Sequence, residues 1–216
     1  MEHSGRWERW IYGACLVIGR LGLAYLFFAQ LFWKMPPTFG CPPDYAFTTA
    51  TADGRLARTS GLCDWIGVEQ VWSTRDRPWL VADTSPIGGP RLAIDIGPIA
   101  RLNGWFLENV IQPNIRWTGW LVWGAEAFVV VSLFLGLFTR AGALASLAVS
   151  AQLMVGLAGI SNPYEWEWGY NLMVLMSLVL LGVPSGRALG LDAVLRRATR
   201  AARERKLLAR LFYLVS

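Results

Sequence analysis

The sequence predicts an all-α integral membrane protein: a four-transmembrane-helix bundle with a long extracytoplasmic loop and a basic amphipathic C-terminal helix. Three observations carry that prediction. Hydrophobic residues make up 54% of the 216, with twelve tryptophans among them, and mean hydropathy is +0.38, a composition well outside soluble averages. Four apolar stretches approach the roughly 20 residues that a hydrocarbon core requires. The C-terminal region is dense in arginine, which orients the chain by the positive-inside rule.

The first span covers residues 11–33, the second 117–138, the third 141–160 and the fourth 168–183. The first is too long for a secretory h-region and leads into Trp33-Lys34-Met35 rather than a small-residue cleavage site, so it reads as a retained anchor. Thr139-Arg140 leaves so little chain between spans two and three that they must form an antiparallel hairpin. The fourth span is short and ends at Pro184. The resulting organisation is an N-terminus and first span (1–35), an extracytoplasmic loop (36–115), spans two to four (116–191) and a cytoplasmic tail helix (192–216).

From Arg187 onward the chain carries Arg187, Arg196, Arg197, Arg200, Arg203, Arg205, Lys206 and Arg210 against Asp192 and Glu204. With four spans, Arg6, Arg9 and Arg140 fall on the same side, so both termini are expected in the cytoplasm of a bacterium whose inner membrane holds the chain. The tail places Leu191, Val194, Leu195, Ala198, Ala202, Ala209 and Phe212 at helical intervals, the pattern of a basic amphipathic helix on an anionic leaflet. Lipid attraction accounts for the basic charge, and nucleic acid is not an expected partner.

The loop lies outside in this topology, where disulfides persist. Cys41 and Cys63 both lie in it, and a bridge between them is expected over the alternative of two free thiols. Pro36-Pro37, Cys41-Pro42-Pro43, Ser85-Pro86 and Gly88-Gly89-Pro90 punctuate the loop as turns. The apolar pieces around Trp79 and Ile94 read as strands or surface turns. Residues 99–111 have roughly helical spacing and predict an amphipathic helix on the outer membrane surface. An ordered loop of this length is either partner-facing or a lid over the bundle.

Arg20 and Glu126 stand near the centres of spans one and two, where an ionised side chain is costly and usually faces a partner or cavity. Each lies about 13 Å from its span end by helix rise. An Arg20–Glu126 pair, with Gln152 of span three satisfying leftover groups, is the economical arrangement; its role is either helix register or a ligand cavity. Closer to the outer surface, Gln30, Lys34, Tyr170, Asn171 and the turn holding Glu165, Trp166, Glu167 and Trp168 offer the aromatic walls and polar groups that a quinone headgroup needs. An interfacial aromatic belt gives the same residues without a ligand. Glu165 is the candidate proton acceptor. On span three, Gly142, Ser146 and Ser150 recur every fourth residue, the spacing of close helix packing in lipid.

A single histidine, His3, cannot supply paired haem ligands or an ordinary zinc site. The sequence has no C-x-x-C, C-x-x-C-H, Walker A loop or G-x-S-x-G elbow. No metal or haem site is expected, and redox chemistry would have to use a dissociable carrier or a partner's cofactor.

The chain resembles the DoxX/DoxD-like four-span membrane proteins, which include the small DoxD-type subunit of thiosulfate:quinone oxidoreductase. The passages that carry the resemblance are Gly19-Arg20-Leu21-Gly22 through Lys34, and Glu126 followed by Leu135-Gly136-Leu137-Phe138-Thr139-Arg140. The others are Glu165-Trp166-Glu167-Trp168-Gly169-Tyr170 and Ser185-Gly186-Arg187-Ala188-Leu189-Gly190-Leu191-Asp192. The resemblance implies a compact bundle working with membrane or extracytoplasmic partner subunits, in some members in quinone-linked sulfur oxidation. The expectation is therefore a membrane subunit of a quinone-linked oxidoreductase, acting on thiosulfate or another sulfur or thiol substrate through a partner. Arg20, Glu126 and Glu165 would be its catalytic groups, and Gln30, Gln152, Trp166, Trp168 and Asn171 its quinone contacts. The rival expectation is a non-catalytic structural subunit of a larger assembly. A transporter is a third class, against which stands the lack of an internal repeat or paired broken helices.

Overall fold

A computed structural model of the chain describes residues 2–47, 61–83, 91–157, 167–183 and 185–199. The described chain is mostly helical. Helix α1 spans Glu2–Leu31 and is followed by a 3-10 turn, Phe32–Lys34; α2 covers Leu62–Ser73. Strands β1 (Pro78–Asp83) and β2 (Arg91–Asp95) precede α3 (Gly97–Phe106), a π turn (Leu107–Ile111) and a 3-10 turn (Gln112–Asn114). Then come α4 (Ile115–Leu135), α5 (Thr139–Leu157), α6 (Glu167–Gly182), a 3-10 turn (Ser185–Arg187) and α7 (Leu191–Thr199).

Three helical segments are long and apolar enough to cross a membrane: Trp7–Lys34, the continuous run Gly97–Leu135, and Thr139–Leu157. Gly169–Gly182 is a shorter apolar helix. Their apolar side chains are widely exposed, among them Tyr25, Trp117, Phe134 and Leu175, as expected of helices that lipid rather than water would cover. The second expected span ends earlier than its hydropathy suggests. Gly136 takes φ +63°, and the Leu137 N–H donates to the Ser132 carbonyl (2.9 Å), closing α4 with a Schellman turn. The turn is therefore Gly136-Leu137-Phe138, and Thr139 already belongs to α5.

The chain divides into two compact units. Unit 1 holds Met1–Leu31, Gly124–Val149 and Leu172–Ser216; unit 2 holds Phe32–Trp123 and Ser150–Asn171. Unit 1 packs Leu23, Ala24, Phe27, Val129, Leu133, Ala143, Met173 and Leu180 as buried apolar residues. Small residues let its helices approach, and Ser146 and Ser177 hydrogen-bond with Oγ atoms 2.7 Å apart, joining α5 to α6.

Unit 2 turns the long loop into structure. Its core gathers Phe39, Cys41, Leu62, Cys63, Ile66, Leu107 and Ile115, flanked by Tyr45, Phe47, Ile111, Val122 and Trp123. Cys41 and Cys63 are joined as a disulfide with Cα atoms 5.2 Å apart, at the start of α2. The pieces around Trp79 and Ile94 are strands: β1 and β2 pair antiparallel, Trp79 opposite Ile94 and Ala82 opposite Leu92, with a bulge between. Among the described residues, hydropathy periodicity missed α2, where Leu62, Cys63, Ile66 and Val68 are buried alongside Asp64 and Glu69, so that no single apolar stripe marks its inner side. The basic tail helix is described only as α7; residues 200–216, which complete the expected amphipathic helix, lie outside the described residues.

Candidate functional site

In unit 1 two buried charges hold the turns at the helix ends, Arg20 that between α6 and α7 and Asp192 that between α4 and α5. Arg20, 2% exposed, donates through Nη1 to the carbonyls of Ser185 (3.1 Å) and Ala188 (3.5 Å) and through Nη2 to that of Leu189 (3.0 Å). Those acceptors belong to the turn between α6 and α7, where Leu189 has φ 50° and the Ser185 carbonyl also accepts from the Ala188 N–H (3.1 Å). Asp192, wholly buried, accepts from the Phe138 N–H (2.8 Å), the Thr139 N–H (3.1 Å) and Thr139 Oγ1 (2.7 Å). Its own N–H donates to the Gly136 carbonyl (2.8 Å). The carboxylate thus answers orphan donors at the start of α5, where the helix dipole favours negative charge. Gly136 is obligatory twice over: its φ is positive, and a Cβ there would crowd Arg20 Nη1.

The expected Arg20–Glu126 pair is replaced by this arrangement. Backbone carbonyls suit a planar, multi-donor guanidinium, and the turn at 185–189 offers three of them. Glu126 is buried in the same unit at 1% exposure, while the Arg20 guanidinium donates to backbone carbonyls. Gln30 is half-buried near the end of α1.

Unit 2 holds a second polar cluster. Glu69 on α2, 3% exposed, accepts at Oε2 from Asn103 Nδ2 of α3 (2.9 Å) and from Gln152 Nε2 of α5 (2.7 Å). Gln152 Nε2 also lies 3.5 Å from Asn103 Oδ1. Gln152 therefore partners a loop carboxylate instead of an Arg20–Glu126 pair. Gly156, one turn further along α5, makes room for it: a Cβ there would overlap the Glu69 carboxylate. Beside it Arg77, 1% exposed, donates through Nη2 to the Val155 carbonyl (2.8 Å) in the last described turn of α5, where a cation complements the helix dipole.

An aromatic group accompanies this cluster in unit 2. Trp33 stacks on Trp65 (5.5 Å between centroids), and Trp65 meets Tyr170 edge to face (6.0 Å). The buried Lys34 Nζ lies 4.8 Å from the centre of the Trp33 ring, within cation–π range. Asn171, next to Tyr170, is half-buried, and its Oδ1 is a buried acceptor without a hydrogen-bond partner among the described residues. Trp168 stands in the first turn of α6, while Glu165 and Trp166 lie outside the described residues. Among the described residues no group of three or more His, Cys, Asp or Glu could hold a metal ion.

Sequence reasoning missed Glu69, Asn103, Arg77 and Asp192. For Glu69 a signal existed: with Gln70 it interrupts the apolar stretch from Ile66 to Trp72, a placement that burial makes costly for an acid without partners. No family model matches this chain, and neither a curated protein nor a solved structure is significantly similar to it.

Proposed function

We propose that this chain is the membrane subunit of a quinone-linked oxidoreductase complex of the DoxX/DoxD-like kind, working with a partner subunit that oxidises a thiosulfate-like or thiol substrate. In this reading Gly169–Gly182 is the fourth span of a bundle in a bacterial inner membrane. The disulfide-bearing loop stands outside, and both termini stand in the cytoplasm. The observation that supports it most is Glu69, a buried carboxylate carried by the loop onto Gln152 and Gly156 of an apolar helix. A carboxylate held by two side-chain amides at an apolar boundary is suited to proton transfer, which quinone reduction requires.

The residues present fit a quinone headgroup in part. Trp33, Trp65 and Tyr170 form an aromatic surface, and Asn171 Oδ1, without a partner among the described residues, matches a quinol hydroxyl as donor. A bound quinone would supply two-electron acceptance with proton uptake. Gln152 takes a positioning role, since its amide already holds Glu69, and Arg20 falls outside the proposed catalytic set. The test is quinone reduction by the complex purified from native membranes. Glu69→Gln is expected to lower turnover about a hundredfold while the chain still inserts and retains its partner.

The engagement of Arg20 and Asp192 with backbone groups favours a second reading, a non-catalytic subunit whose charges hold its own fold. Unchanged turnover in both Glu69→Gln and Glu126→Gln, with the chain recovered at fixed stoichiometry, would select it over the first.

A further inference from the structure

Helix α3 and the π turn that continues it present three faces where an ordinary surface helix has two. Ala100, Gly104 and Leu107 are buried; Arg101 and Glu108 form a charged edge; and Ile99, Leu102, Trp105, Phe106 and Val110 form an exposed apolar face, Leu102 at 66% and Trp105 at 58%. At 100° per residue the apolar members within α3, Ile99 to Phe106, span about 120° of the helix circumference. The helix has therefore already buried a packing face and retains a second apolar one. Along the same helical run, α4 exposes Trp117, Trp120 and Leu121 within unit 2, at the start of a segment apolar enough to cross a membrane. The run of 39 residues is about 58 Å long, well beyond a core of about 30 Å. Its first part must then leave the hydrocarbon while still presenting Trp105, a residue type of the headgroup interface.

On the charged edge lies a groove of about 480 Å³ in unit 2, lined by Gln70, Ser73 and Thr74 on one side and by Arg101, Trp105 and Glu108 on the other. Trp105 belongs to both the groove and the apolar face. Arg101 and Glu108 are seven residues apart, about 10 Å along the axis, and carry opposite charges. We propose that the apolar face of α3 seats in the outer lipid leaflet and that this groove takes the headgroup of a zwitterionic phospholipid, with its phosphate toward Arg101 and its amine toward Glu108. The inference rests on the reading of α4 as a membrane span.

The experiment uses the full chain in nanodiscs of phosphatidylethanolamine and phosphatidylglycerol. A fluorophore is placed at Leu102→Cys or Leu121→Cys in a Cys15→Ser background, with quenching by lipids nitroxide-labelled at the headgroup or deep in the acyl chain. Quenching of the Leu102 probe by the headgroup label, and of the Leu121 probe by lipid labels, is expected. A Leu102 probe quenched only by aqueous iodide, with Leu121 still quenched by lipid, overturns the proposal and leaves the span intact. If neither probe meets lipid, the membrane reading itself fails. In parallel, phosphatidylethanolamine affinity is titrated with Arg101→Gln and Glu108→Gln. Loss of one charge-assisted contact is expected to weaken it about tenfold, and Glu108→Gln is expected to do so without altering binding of phosphatidylglycerol, which has the phosphate but no amine. Affinities equal to wild type in both variants would remove the groove from the site.

Discussion

The two ends of α5 are both anchored by buried charge, but by different means. At the first residues, Thr139 and its neighbour Phe138 are held by Asp192, whose neighbouring turn also supplies the carbonyls that bind Arg20. In the last described turns, Val155 is held by Arg77, and Gln152 by Glu69, both from the long loop. Asp192 sits at the dipole's positive end and Arg77 at its negative end, the favourable arrangement for each. Glu69, also near the negative end, is held instead by side-chain amides. The difference lies in what completes the partnership. Near Thr139 a side-chain charge meets two backbone N–H groups and one hydroxyl, so little can be exchanged without breaking a turn. Near Gln152 side chains meet side chains, an arrangement that can rearrange or pass a proton.

The sharpest way to break this contrast is at Asp192. Asp192→Ala removes three hydrogen bonds and leaves the Phe138 and Thr139 N–H groups and the Thr139 hydroxyl buried and unanswered. The expected cost is about 4 kcal/mol, read as loss of monodisperse protein in mild detergent. Normal yield and thermal midpoint for this variant would mean that the start of α5 does not depend on the buried acid.

Next in size is the disulfide, which belongs to one end only. Closing a loop with a sequence separation of 22 residues is worth about 3 kcal/mol by chain entropy. The Cys41→Ser, Cys63→Ser variant is therefore expected to raise hydrogen exchange across α2. Exchange at residues 136–142, in unit 1, is expected to stay as in the wild type. Equal loosening of both regions would erase the distinction drawn between them. Arg20→Lys follows, at about 2 kcal/mol. An ammonium cannot span the carbonyls of Ser185, Ala188 and Leu189 as a guanidinium does, and thermal denaturation in detergent measures the change.

These two ends also divide what was legible in the sequence from what was not. The elements that could be read were those with strong local signals: the apolar segments around α1, α4, α5 and α6, and the amphipathic spacing around Leu102 and Trp105. Arg20 was conspicuous because it interrupts an apolar run. Its partner was not, since Coulomb reasoning alone pairs Arg20 with Glu126. Backbone carbonyls carry no letter in the sequence and become acceptors only when a turn frees them. Glu69 and Gln152 are 83 residues apart, and no local pattern relates them. The core of the loop was equally hidden. Leu62, Ile66 and Val68 are buried alongside Cys63, Asp64 and Glu69, which gives an irregular pattern instead of a helical stripe.

The smallest effect discriminates most finely, because its sign depends on the partner. Alanine favours a helix interior over glycine by about 1 kcal/mol, so Gly156→Ala in α5 ought to stabilise the chain if only propensity acted. A Cβ at 156 would overlap the Glu69 carboxylate, however, and displacing it disturbs its bonds to Asn103 and Gln152. The expected net result is a destabilisation of about 1 kcal/mol, read by thermal unfolding in detergent. In a Glu69→Ala background the obstacle is gone, and the same substitution is expected to become neutral or stabilising by up to about 1 kcal/mol. A double-mutant cycle isolates that reversal from the cost of losing the carboxylate itself. If Gly156→Ala destabilises equally in both backgrounds, the glycine serves helix packing alone. The loop carboxylate would then have no special seat on α5, and the proposed role of Glu69 would lose its structural basis.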